Sequence, residues 1–243
     1  MKQYGLIGNP LKHSFSADFF NNLFVREGID AYYAPYELGH IKELEELLTR
    51  VPLQGLNVTA PYKQEVLRYA TELSPEVEAI GAANVLRIDR NTSGKIVHIK
   101  AFNTDVVGFS ETVHSLVRQN DLALVLGTGG AALAVRYALM QLGLCVLLVS
   151  RGARAEGVVP YKDLRNLLPL ARLLVNATPI GLHEGQRLKL PYDLIEARHL
   201  CYDLIYNPTE TPFLLEARLR GAQTMNGLAM LHGQALAAWD IWH

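Results

Sequence analysis

The chain has 243 residues, 49% of them apolar and 19% charged, which is globular composition with enough material to bury a sizeable core. Its 23 basic and 24 acidic residues leave a formal charge of -1 and are spread along the sequence, so no electrostatic footprint for nucleic acid or an anionic membrane is present and a small-molecule partner is expected. Cys145 and Cys201 stand far apart without a C-x-x-C or a Cys/His zinc spacing, which argues against both a disulfide framework and a structural metal.

In the first hundred residues short apolar runs alternate with helical patterns. YGLIG reads as a strand, FSADFFNNLFVREG as a helix, YYAPYEL as a strand, the amphipathic IKELEELLTR as a helix, and LQGLNVT as a strand. This βαβαβ punctuation implies a mainly parallel sheet with covering helices. NVLRIDR and KIVHIKA flank the polar turn NTSG and predict an antiparallel hairpin at a sheet edge. From Thr104 to Asn120 the spacing of Val107, Phe109, Val113 and Leu116 predicts a helix that crosses between domains.

A second α/β unit follows. LALVLGTGGAALAVRYALMQLGLCVLLVSR reads as strand, glycine turn, helix, strand, with LLVNATP and HLCYDLIY as further buried strands and TPFLLEARLR as a helix. The stretch from Leu122 to Val149 is interrupted by Gly127, Gly129, Gly130, Arg136, Gln141 and Gly143, so it is not read as a membrane span. MKQYGLIGNP enters a strand directly rather than through a signal-like apolar region, and a cytoplasmic location is expected. The final GLAMLHGQALAAWDIW is helical and apolar on more than one face, as for a helix packed between domains.

Gly127, Gly129 and Ala132 form G-x-G-x-x-A between strand and helix, where backbone amides at a helix N-terminus meet a pyrophosphate. The end of the next strand, which carries an acid when a ribose 2′-hydroxyl is bound, is Ser150 followed by Arg151 and Arg154. Two guanidiniums bind a 2′-phosphate that a carboxylate repels, so NADP is the expected cofactor. A substrate then belongs to the first domain, at strand C-termini. HSFS at 13–16, NVTAPYK at 57–63, AFNTDVVG at 101–108 and Asn84 supply hydroxyls, amides, one lysine and one aspartate but no metal ligands, a set suited to an uncharged polyol with one anionic group. Each also has a structural role open to it: Ser14 or Ser16 as a helix cap, Thr59 as a turn former, Asn103, Thr104 or Asp105 as a cap for the next helix, and Lys63 as a solvated charge.

GNPLKHSFS, GLNVTAPYK, GAANVL, NTDVVG, GTGGAA, NATPIGL, YDLIYNP and NGLAMLHGQA occur in the order and at about the spacings of shikimate dehydrogenases, and the chain resembles that family from end to end. The resemblance implies a two-domain α/β fold: an N-terminal α/β substrate domain over 1–102, with 233–243 packing back on it, and a Rossmann-like doubly wound NADP-binding domain over 103–232. It implies reversible reduction of 3-dehydroshikimate to shikimate with NADPH, in aromatic amino-acid biosynthesis, by a monomer or homodimer. Carried over by motif, Lys63 and Asp105 are the catalytic pair. Ser14, Ser16, Thr59, Asn84, Asp105 and Gln234 hold the substrate, with Tyr206 beside them. Gly127, Thr128, Gly129, Gly130, Ala131 and Ala132 form the phosphate loop, Ser150, Arg151 and Arg154 the 2′-phosphate side, and Thr178, Leu204, Gly227 and Met230 complete the cofactor set, the last three toward the nicotinamide.

Four positions depart from the family pattern. Ser150-Arg151-Gly152 replaces the usual Asn-Arg-Thr, Ala17 stands where proline is usual, and Thr128 replaces an alanine. The same fold, lysine and aspartate also serve NAD-dependent quinate/shikimate dehydrogenases; Ser150, Arg151 and Arg154 favour NADP.

Overall fold

A computed structural model describes residues 1–11, 15–152 and 155–243. The chain divides into two compact units, Met1–Thr104 with Ala235–His243, and Asp105–Gln234.

The first unit contains β1 (Lys2–Gly8), α1 (Phe15–Arg26), β2 (Ala31–Glu37), α2 (Glu43–Arg50), β3 (Leu53–Val58), β4 (Glu72–Leu73), α3 (Pro75–Ile80), β5 (Val85–Arg90) and β6 (Ile96–Phe102). Its sheet has the order β2-β1-β3-β5-β6-β4. The pairs of β1 with β2 and β3 are parallel, and those of β5 with β3 and β6 antiparallel. The hairpin predicted at the edge therefore lies one position in, because the two-residue β4 pairs in parallel with β6. A two-residue strand has too little periodicity to be seen in sequence.

Alternation along β1 sends Tyr4 and Leu6 to one face and Ile7 to the other. On the Ile7 side the leucines of α2, Leu44, Leu47 and Leu48, meet Leu56 and Val58. On the Tyr4 side lie Phe20 and Phe24 of α1 with Ala235, Ala238 and Trp242 from the C-terminal segment. Gly55 makes room there, since a methyl group at this position would overlap the Trp242 indole, whose Nε1 donates to the Leu86 carbonyl at 3.0 Å.

The second unit contains α4 (Asp105–Val113), β7 (Leu122–Leu126), α5 (Gly130–Gln141), β8 (Cys145–Ser150), β9 (Val158–Pro160), α6 (Leu164–Leu167), β10 (Ala171–Asn176), β11 (Leu200–Asp203), α7 (Pro212–Leu219), β12 (Gln223–Met225) and the first part of α8 (Leu228–Trp242). Its six strands are all parallel, in the order β12-β11-β10-β7-β8-β9. The order reverses between β7 and β10, the doubly wound arrangement that opens a crevice at the strand C-termini. Ala123 and Val125 of β7 face a cluster with α4 and α5, while Leu124 and Leu126 face one with Leu164 of α6 and Phe213 of α7. The helix expected over 104–120 stops at Val113. Its apolar spacing continues because Leu116 and Val117, in the turns that follow, still pack on the same core. Among the described residues no helix is long and apolar enough to cross a membrane.

Candidate active site

Parallel β1 and β3 end at the edge of the first sheet where antiparallel β5 begins and β6 finishes. That topology alone collects Thr59, Asn84 and Asn103–Thr104 on one edge. The Thr59 amide donates to the Ile7 carbonyl at 2.9 Å, and Tyr62 N–H closes a turn onto the Thr59 carbonyl at 3.0 Å, across the cis Ala60–Pro61 peptide. Tyr62 is buried and anchors this turn by donating its hydroxyl to the Leu38 carbonyl at 2.6 Å. Lys63 follows, half-buried, with its carbonyl accepting from Ala83 N–H at 2.7 Å. The backbone of the lysine is thus tied to the segment that carries Asn84.

Asn84 is buried and uses both ends of its amide. Its Oδ1 accepts from Thr104 N–H at 2.7 Å and its Nδ2 donates to Thr104 Oγ1 at 3.0 Å. Thr104 immediately precedes Asp105, the buried first residue of α4 and an acid in the helix's first turn, where the dipole favours negative charge. Ser16, also buried, shares a hydrogen bond with Tyr33, whose hydroxyl donates to Asn57 Oδ1 at 2.7 Å. Burial pushes the Tyr33 phenol well above its usual range, and the Ser16 hydrogen bond opposes this, so Tyr33 is a neutral donor at working pH. Asn21 of α1 clamps the same tyrosine's main chain, donating to its carbonyl and accepting from its N–H, both at 2.9 Å. Ser14 lies outside the described residues.

In the second unit β7 is followed by Gly127, which has φ +113° and donates its N–H to the Val149 carbonyl at 2.9 Å. A Cβ here would be 3.2 Å from the Ala177 carbonyl oxygen and 3.3 Å from Thr178 Cγ2, so glycine is required for conformation and for space. Thr128 and Gly129 are exposed, and Gly129, the N-cap of α5, has no atom within 4 Å of where a Cβ would stand. Gly130 and Ala131 are half-buried, and Ala132 is fully buried where α5 meets the sheet. An open backbone loop at the N-terminus of a twelve-residue helix fits the pyrophosphate of a dinucleotide. At the end of β8, Ser150 Oγ faces Gly152 N–H at 3.5 Å and Arg151 is exposed. Arg151 is near enough to pull down the Tyr161 phenol, which burial raises more strongly. Arg154 lies outside the described residues.

On the other side of the crevice, Leu204 donates its N–H to the Asn176 carbonyl at 3.0 Å, and Gly227 donates its own to Ile205 at 3.1 Å. A methyl at 227 would overlap the Leu204 carbonyl. Met230 is buried in the cluster with Phe109, and burial raises the phenol of half-buried Tyr206. Gln234 is half-buried and donates to the Leu231 carbonyl at 3.2 Å. Gly108 of α4 brings α8 close, since a Cβ there would sit 2.6 Å from the Met230 carbonyl oxygen. Among the described residues no group of His, Cys, Asp and Glu is arranged to hold a metal ion.

Comparison with known proteins matches residues 6–86 to the model of the shikimate dehydrogenase substrate binding domain. The shikimate dehydrogenase (NADP(+)) of Pyrococcus furiosus is 34% identical, the match covering 99% of this chain and 90% of that protein. The chain belongs to the shikimate dehydrogenase family. The crystal structure of shikimate dehydrogenase from Aquifex aeolicus superposes with a TM-score of 0.88 at 32% identity, covering 100% of this chain and 92% of that one. The Thermus thermophilus shikimate 5-dehydrogenase, solved in complex with NADP(H) and shikimate, gives 0.86 at 33% identity over 100% and 93%.

Within this shikimate dehydrogenase fold, sequence reasoning did not single out Tyr33, Asn21, Asn176, Asp203 or Thr211. The last three are fully buried polar residues of the second unit. Asn176 and Asp203 sit inside the motifs NATPIGL and YDLIYNP, and a polar residue closing a run of mainly apolar strand residues was the available signal.

Proposed function

We propose that the chain catalyses the NADP-dependent, reversible interconversion of 3-dehydroshikimate and shikimate in the cytoplasm, with Lys63 and Asp105 as its catalytic pair. The observation that carries this reading is the single sheet edge that gathers Thr59, Asn84 and the pinned backbone of Lys63, in a chain related end to end to NADP-dependent shikimate dehydrogenases. Gly127 to Ala132, Ser150, Arg151 and Arg154 would hold the cofactor, with Thr178, Leu204, Gly227 and Met230 around the remainder, and it would supply the hydride as NADPH or take it up as NADP+.

The protein's own task is the proton and the orientation of the substrate. Lys63 donates a proton to the oxygen of the carbonyl being reduced, or accepts it in the reverse direction; a compact ammonium on a flexible stem suits this. Asp105 holds the lysine's charge. Ser14, Ser16, Thr59, Asn84 and Gln234, with Tyr206 beside them, hold the carboxylate and hydroxyls and so fix which carbon faces the cofactor.

The test is absorbance of NADPH formed when shikimate and NADP are added to the purified chain, repeated with quinate and with NAD. Turnover of shikimate with NADP well above the other combinations is expected. Absence of shikimate-dependent NADP reduction overturns the reading, and preference for quinate with NAD replaces it.

A further inference from the structure

We propose that Asp203 is a positioning residue for the nicotinamide end of the cofactor site, acting through a buried Asn176–Asp203–Thr211 relay that fixes the loops after β10 and β11 against each other. This rests on the reading above that Leu204 and Gly227 border the nicotinamide.

Asp203 ends β11 and Asn176 ends the neighbouring β10, and neither exposes any surface. Neither can touch a dinucleotide, so any effect on the reaction must pass through what they hold. Asp203 Oδ1 accepts from Asn176 Nδ2 and from Ile205 N–H, both at 3.0 Å, and Oδ2 accepts from Thr211 Oγ1 at 2.6 Å. Thr211 in turn caps α7, accepting from Leu214 N–H at 3.4 Å. Asn176 spends its Oδ1 on Thr178, accepting from its N–H at 3.0 Å and its hydroxyl at 2.7 Å, and its Nδ2 also donates to the Ile180 carbonyl at 3.2 Å.

One carboxylate and one amide therefore tie two loops into a single piece. The first loop holds Thr178, whose methyl lies against Gly127 of the phosphate loop; the second holds Leu204 and Ile205, against which Gly227 is packed. Burying a carboxylate is unfavourable, and burial raises the Asp203 carboxyl while Thr211, Ile205 and Asn176 oppose the shift. An ionised carboxylate is acceptor-only, and three donors converge on it. That arrangement fixes the loop carbonyls and amides more firmly than a neutral side chain of the same size would, at the strand ends where a doubly wound sheet binds its ligand.

The test uses the full chain with Asp203→Asn, Asp203→Ala and, as a reference, Gly227→Ala, whose added methyl acts on Leu204 directly. Turnover is expressed per site counted by titration with 2′,5′-ADP, which has the adenine end of the cofactor but no nicotinamide, so misfolded protein does not contribute. For Asp203→Asn, which keeps the size of the side chain and still offers an acceptor, kcat is expected to fall at least five-fold while the Kd for 2′,5′-ADP stays within two-fold; Asp203→Ala, where it folds, is expected to lose more. A fall of less than five-fold overturns the proposal, and so does a 2′,5′-ADP affinity that falls in step with kcat, because that marks a general structural loss. If Gly227→Ala lowers kcat at unchanged 2′,5′-ADP affinity and Asp203→Asn does not, the relay idea fails and the nicotinamide reading survives. If Gly227→Ala changes nothing, the nicotinamide reading fails and the proposal with it.

Discussion

Asn84→Ala tests the structural role of a buried amide at the edge of the first sheet. The substitution leaves the Thr104 N–H without its 2.7 Å acceptor and Thr104 Oγ1 without its 3.0 Å donor, at a threonine only 3% exposed. An orphaned buried N–H costs about 1–3 kcal/mol and a lost neutral hydrogen bond about 1 kcal/mol, so the loss of stability is about 2–4 kcal/mol. The chain's two tryptophans, Trp239 and Trp242, both belong to the first unit's core, so intrinsic fluorescence during urea unfolding reports on that unit. Thr104→Val supplies the partner for a double-mutant cycle. Because both single variants break the same pair, the double variant is expected to fall short of their sum by about 1 kcal/mol. A shift for Asn84→Ala below about 0.5 kcal/mol, or strict additivity with Thr104→Val, would refute the view that the amide braces the segment leading to Asp105.

Lys63→Ala is expected to lower kcat by about 10²- to 10⁴-fold, the range of a general acid, while NADPH affinity stays within a few-fold; stopped-flow turnover and cofactor titration check both halves. Tyr33→Phe removes the hydroxyl shared with Ser16 and Asn57, so KM for shikimate should rise several-fold with kcat nearly unchanged, the pattern of a contact made equally in ground and transition states. Native protein should show one reactive thiol in a disulfide-exchange titration, exposed Cys145, and two after denaturation, because burial pushes the Cys201 thiol up to about 12. A raised pKa means that the native state holds this proton longer than the unfolded chain. Cys201 therefore contributes stability that is intact below about pH 9 and lost as pH rises toward 12, and Cys201→Ala should flatten that part of the alkaline unfolding profile.

The strand and helix pattern was legible because burial repeats at fixed periods. Tyr4, Leu6 and Ile7 alternate across β1, and Leu44, Leu47 and Leu48 line one side of α2. The same signal overran α4, where Leu116 and Val117 kept helical spacing after the backbone had turned. The glycine loop was readable because positive φ and close approach leave few alternatives to Gly127. Tyr33 was not, since an aromatic in a strand reads as core, and nothing local shows that its hydroxyl meets residues 17 and 24 positions away. Asp203 was hidden for a related reason: the donors that make a buried carboxylate tolerable come from Asn176 and Thr211, on other elements.

The two units also build their sites from different material, and this sets which substitutions matter in each. On the reading proposed above, the first sheet's edge works through side chains such as Thr59, Lys63 and Asn84, so truncation is expected to lower activity while the backbone serves to aim them. Around the second crevice the proposed cofactor positions include glycines, which would act through exposed amides and close approach. There the damaging change is an addition. A methyl at 227 meets the Leu204 carbonyl, and one at 127 meets both strain at φ +113° and the Ala177 carbonyl, whereas Gly129 has open space. Gly129→Ala should therefore fold normally and weaken only what enters that space, the phosphates, while Gly127→Ala should weaken the loop itself. Thr128, exposed between them, has solvent for its side chain to enter, so Thr128→Ala is expected to leave the loop backbone in place.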